Sequence, residues 1–121
     1  MSEMKLGAVE HRFAEIVWKN APLSSGELAK LCLRELSWKR TTTYTVLKKL
    51  CDKGIFKNEG SVVTVLISEE EFSSIQSEQF VQETFGGSLP AFIAAFTSGK
   101  KLTDSEADEI RRMIDNAREG S

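Results

Sequence analysis

Between Ile55 and Ile67 the hydrophobic pattern changes its period. The stretch "IFKNEGSVVTVLI" holds two short β-prone runs, Ile55–Lys57 and Ser61–Ile67, around Asn58, Glu59 and Gly60. Phenylalanine, isoleucine and valine favour strands, and a glycine in a short polar link signals a hairpin. The rest of the chain repeats at helical spacing or breaks that spacing. A single hairpin in an otherwise helical chain leaves few folds open, and the order of the elements decides among them.

Three short helices are expected before the hairpin. Val9, Phe13, Ile16 and Val17 recur at helical spacing over residues 7–20, and "NAP" at 20–22 ends the run. Ser24 or Ser25 can cap a second helix, whose stripe is Leu28, Leu31, Cys32 and Leu36. Thr41 or Thr42 can cap a third, with Thr43, Val46, Leu47, Leu50 and Cys51 turned inward. Gly54 should end it in the left-handed conformation that glycine tolerates. Three helices and then one hairpin is the order of a winged helix-turn-helix. The fold expected is therefore mainly α with a small β-hairpin. Residues 1–67 would form a winged helix-turn-helix, and 68–121 a helical dimerisation region.

The second half is helical again. Ser68 and three glutamates suit a helix start, "GGS" at 86–88 breaks the pattern, and Pro90 fits a helix's first turn. Thr103 with Glu106 makes a capping box for a last helix. These helices carry Phe72, Phe80, Phe85, Leu89, Phe92, Ile93, Phe96, Ile110, Met113 and Ile114. Three short helices cannot hide so many large apolar groups alone, so a twofold dimer is expected through these residues.

Charge divides the chain in the same place. Residues 1–60 hold 11 Lys+Arg against 7 Asp+Glu, whereas residues 61–121 hold 5 against 11. A basic half joined to an acidic half suggests two tasks, one of them contact with a polyanion. On a helical wheel the third helix turns Thr41, Thr42, Tyr44, Thr45, Lys48 and Lys49 away from its apolar side. Threonine hydroxyls bond phosphates or base edges, and lysines neutralise phosphate. The expected contacts to double-stranded DNA are Thr42, Tyr44 and Thr45 at base edges, with Thr41 beside them. Lys39, Arg40, Lys48, Lys49 and the wing's Lys57 would meet phosphate, with Ser24 and Ser25 as hydroxyl donors. The alternative is a winged helix that binds an acidic protein partner and no DNA.

Chemistry narrows the options further. His11 is the single histidine and has no ligand neighbour at metal spacing. No glycine-rich phosphate loop and no nucleophile elbow is present. No enzyme, metal or cofactor is expected. Cys32 and Cys51 sit among apolar neighbours and read as two reduced thiols. No run is long enough to span a membrane, and "MSEMKLGAVEHRF" lacks a signal-peptide core, so a cytoplasmic location is expected.

The ordered set of motifs resembles the BlaI/MecI/CopY-type penicillinase-repressor family. The carriers are Trp18, the Ser-x-Glu-Leu run from Ser25 to Leu28, Trp38, and Thr42, Thr45, Leu47, Lys49, Leu50, Lys53 and Gly54. "LISEEEF", "FGGSLPAFIAAF" and "LTDSEADEIRRMI" extend the likeness, which spans roughly residues 6–116. The resemblance implies a homodimeric transcriptional repressor that binds twofold-related operator DNA. It also implies relief by proteolysis at Ala95–Phe96, through a membrane sensor-protease. Ala95 stands where the best-known members carry asparagine. Lys39, Arg40, Thr41 and Thr42 stand where the family's third helix often begins Ser-Pro-Lys-Thr. The paired-cysteine copper motif is missing from the tail.

Overall fold

The computed structural model describes residues 4–120. Along the chain run α1 (Ala8–Asn20), β1 (Leu23–Ser24), α2 (Ser25–Leu36), α3 (Arg40–Asp52), β2 (Phe56–Glu59) and β3 (Val62–Val65). Then come α4 (Glu69–Phe85), α5 (Leu89–Gly99) and α6 (Asp104–Arg118). The three strands form one antiparallel sheet in the order β1-β3-β2. The chain divides into two compact units, Met1–Gln79 and Phe80–Ser121.

The first unit is a winged helix-turn-helix, as the element order predicts. Its core draws on every element: Phe13 and Val17 from α1, Leu28 and Cys32 from α2, Leu47 and Leu50 from α3. Phe56 and Val63 add the sheet's inner face, Ile55 joins them from just before β2, and Phe72 closes the core from α4. Each such side chain contributes about 1.5–3 kcal/mol on leaving water. Trp18 stands over the lower edge, 5.7 Å from Phe56 and 5.5 Å from Phe72 between ring centroids. Its indole N–H donates to the Ile67 carbonyl at 3.0 Å, so its polar edge is satisfied as its ring packs.

The helix ends follow local chemistry. Ser24 Oγ accepts the Glu27 N–H at 3.0 Å, and Glu27 Oε1 accepts the Ser24 N–H at 3.2 Å. That reciprocal cap starts α2. Ser37 ends α2 in the left-handed region at φ 58°, and the Trp38 N–H bonds back to the Cys32 carbonyl at 3.2 Å. Trp38 then stacks on Phe13 at 5.7 Å. Gly54, at φ 84°, ends α3 as expected. Gly60 and Ser61 both have positive φ, so β2 and β3 are joined by a two-residue turn whose twist matches the strands.

Four expectations differ from the structure. The sheet has a third strand, because Leu23 and Ser24 pair with Val63 and Val62 before α2 begins. The cap of α3 is Lys39, without a side-chain bond, and not Thr41 or Thr42. Ser37 and the stacked Trp38 fix where the chain turns, so α3 starts earlier and both threonines fall in its first turn. The boundary between units lies after Gln79, inside α4, and not at 67/68. Phe72 explains the shift. Its ring is fully buried in the first unit's core, so it is not available to the dimer face assigned to it.

The second unit contains the end of α4, with α5 and α6. Gly86 and Gly87, both at positive φ, separate α4 from α5. Ser88 Oγ caps α5 by accepting the Ala91 N–H at 3.1 Å. Thr103 and Glu106 cap α6 reciprocally, both bonds at 3.0 Å. Phe80, Phe85 and Phe92 form an edge-to-face triangle with centroids 5.5–6.0 Å apart. No residue of α5 or α6 is fully buried.

Candidate nucleic-acid interface

The position of α3 is set from behind. Thr43, Leu47 and Leu50 are buried, and they clamp the helix to α1, α2 and the sheet. Thr43 Oγ1 is buried without a hydrogen-bonding partner of good geometry. The neighbouring Cys32 thiol touches it but is a weak partner. With that side fixed, Lys39, Arg40, Thr41, Thr42, Thr45, Lys48 and Lys49 are all exposed, and Tyr44 is half-buried. Of the outward set predicted from the wheel, the fold exposes all but Tyr44, which it half-buries.

Those side chains are not equivalent. Lys48 Nζ pairs with Asp52 at 3.2 Å, one turn along the same helix. Lys57 Nζ pairs with Glu59 at 3.0 Å on the wing. Lys49 reaches back to α1 and bonds the Glu10 carboxylate. That ammonium is the main cause holding the Glu10 carboxyl below its usual range, against partial burial and helped by the Gly7 N–H. Lys49 therefore braces α3 against α1. Arg40 behaves differently again. It donates from Nη1 to the Tyr44 hydroxyl at 3.1 Å, and its guanidinium lies 5.8 Å from the centre of the same ring.

The wing and α3 share a groove. Tyr44, Leu47, Lys48 and Cys51 of α3 face Asn58 of β2 across about 320 Å³. The helix-turn-helix is tied to the wing at its other end, where the Ser25 N–H donates to the Ser61 carbonyl at 2.9 Å. Ser24 Oγ is engaged in capping, although its own proton is still free to donate. Burial pushes the Cys32 and Cys51 thiols up, so neither is an activated nucleophile. Among the described residues no cluster of His, Cys, Asp and Glu could hold a metal ion. No helix among them is long and apolar enough to cross a membrane.

Sequence reasoning missed two features here. One is the Arg40–Tyr44 pair, whose i,i+4 spacing was a visible signal. The other is the Lys49–Glu10 bond, which no local spacing could reveal because it joins two helices.

A three-helix unit with a short wing and an exposed polar helix face defines the winged-helix class. The comparisons agree with that class. A family model described as "Penicillinase repressor" matches residues 6–116. The chain is also 23% identical over 115 residues to the "Penicillinase repressor" of Bacillus licheniformis, covering 92% of this chain and 90% of that one. The chain belongs to the penicillinase-repressor family, whose members are transcriptional regulators and not enzymes.

Proposed function

We propose that this chain is a repressor that occupies twofold-related operator DNA as a homodimer in the cytoplasm. The observation that carries the reading is the outward face of α3 and its cap, where Lys39, Arg40, Thr41, Thr42, Thr45 and Lys48 are exposed and half-buried Tyr44 lines the groove to the wing. A recognition helix placed this way meets base edges with its N-terminal residues and phosphate with its flanks. Ser24, Ser25 and Lys57 belong to the same footprint, at the start of α2 and on the wing.

Dimerisation rests on the second unit. A groove of about 400 Å³ between α5 and α6 is lined by Phe92, Ile93, Phe96, Ile110 and Met113. Leu89, Met113 and Ile114 are 57%, 59% and 52% exposed. A second copy offering the same face would cover these side chains and Phe80 and Phe85 beside them. Relief of repression would follow cleavage at Ala95–Phe96 by a membrane sensor-protease. Both residues are exposed on α5, and the cut would separate Leu89, Phe92 and Ile93 from Phe96 and the groove's α6 wall.

Titration with an unrelated DNA duplex at two salt concentrations tests the first part. A DNA-binding chain loses affinity steeply as salt rises; no binding even at low salt favours a protein partner instead. Sedimentation tests the second. The full chain should run as a dimer and a chain ending at Ala95 as a monomer.

A further inference from the structure

Four cations of α3 and the wing face different partners, and the difference is chemical. Lys48, Lys49 and Lys57 each lie against a carboxylate, so in the free protein their charge is partly answered from within. Arg40 lies against an uncharged phenol. Tyr44 takes one N–H by its hydroxyl and faces the guanidinium with its ring, so it restricts Arg40 without neutralising it. Of the five N–H donors, the bond to Tyr44 uses one at Nη1. The Nε–Nη2 edge keeps two parallel donors, the pattern that fits guanine O6 and N7. Arg40 is also the first residue of α3, and the N-terminal residues of such a helix are the ones that reach base edges.

We propose that Arg40 reads a guanine in each operator half-site and that Tyr44 is its positioning residue, an inference that rests on the DNA-binding reading above. The pairing exchanges the freedom of a long side chain for one direction before DNA arrives, so less is lost on binding. This reassigns Arg40 from phosphate to base. It also gives Tyr44 a task other than touching a base itself.

The test is selection of duplexes from a randomised pool by the full-length parent, Arg40→Ala and Tyr44→Phe, followed by affinity measurement on the selected and a scrambled duplex. The parent should select one guanine placed symmetrically in both half-sites. Arg40→Ala should lose about ten-fold or more discrimination at that base pair. Tyr44→Phe keeps the ring and loses the hydroxyl, so it should relax preference at the same base pair by a smaller factor. For both variants the loss should be larger on the selected duplex than on the scrambled one. Three results overturn the proposal. Arg40→Ala could weaken all duplexes equally, which is a phosphate contact. Tyr44→Phe could shift preference at a different base pair, which makes Tyr44 a reader in its own right. Tyr44→Phe could also leave the preference at the parent's level, so that Tyr44 positions nothing. A parent that retains no duplex from the pool removes the DNA-binding reading itself, and this inference with it.

Discussion

The two units of this chain use apolar side chains in opposite ways. The first gathers Phe13, Val17, Leu28, Leu47, Leu50, Ile55, Phe56, Val63 and Phe72 into a closed core. The second carries phenylalanine, isoleucine and leucine in a similar share, 9 residues in 42 against 16 in 79, yet α5 and α6 bury none of their residues fully. Three helices against a sheet enclose a volume. Two helices and the end of a third leave one face of each uncovered. A closed core makes a rigid platform, which a reading head needs. An open apolar face makes a unit whose stability depends on what covers it. The basic charge lies with the closed core, where the polar work is done on the outside.

Phe72 offers the sharpest way to break this contrast. It lies on the helix that continues into the second unit but packs wholly in the first. Phe72→Ala should cost about 3–5 kcal/mol of unfolding free energy, read by denaturant titration of the full chain. A loss under about 1 kcal/mol would mean that Phe72 is not part of the first core. For the same reason, a chain cut after Ser68 should unfold, whereas a cut after Gln79 should leave a folded monomer.

Ile93 tests the opposite property. Ile93→Asp places a charge in the apolar groove and should abolish the dimer in sedimentation, with the first unit's unfolding midpoint little changed. If the midpoint drops as far as in Phe72→Ala, the units are not separable in the way proposed.

Lys48 and Lys49 are neighbours in sequence and divide by role. Lys48→Ala should flatten the logarithmic salt dependence of DNA binding by about one unit. Lys49→Ala should do so less, because its ammonium is turned back to the mostly buried Glu10 of α1, whereas the Lys48–Asp52 pair stays in solvent. Equal slopes for the two variants would show that the Glu10 bond opens on DNA. Thr45→Ala should change operator preference and leave the slope alone.

The smallest effect expected is a pH dependence. Glu10 titrates below its usual range in the folded chain, chiefly through Lys49. A depressed carboxyl stabilises the fold above its ordinary unfolded value, and the gain disappears as pH falls through the lower folded value. Both groups have solvent access, so the contribution should stay under about 1 kcal/mol. Glu10→Gln should remove that part of the acid-side loss of stability. An unchanged profile would assign the loss to other carboxylates.

Much of this was legible from the residues. The helical stripes, the break at "GGS", the hairpin between Ile55 and Ile67 and the caps at Ser24 and Thr103 all rest on local rules, which act over three or four residues. The buried position of Thr43 followed from the wheel, even though threonine is polar. Other features had no local signal. Two residues are too short to show a strand period, so β1 emerged only through its pairing with β3. Thr41 and Thr42 cap helices as well as any residue, and the stacking of Trp38 on Phe13 decided that neither would. Phe72 falls among apolar residues of one rough stripe in α4, and only the packed core separates it from Phe80.

What the sequence by itself determined was the order of the helices and the hairpin, and the family, because periodicity and short motifs survive without a fold. It also determined which face of α3 is polar. Tertiary structure decided the partners. Lys49 turned to Glu10, and Phe72 went to the first core instead of the second unit. Those choices depend on distances between elements far apart in the chain, and such distances exist only once the core has set the helices against one another.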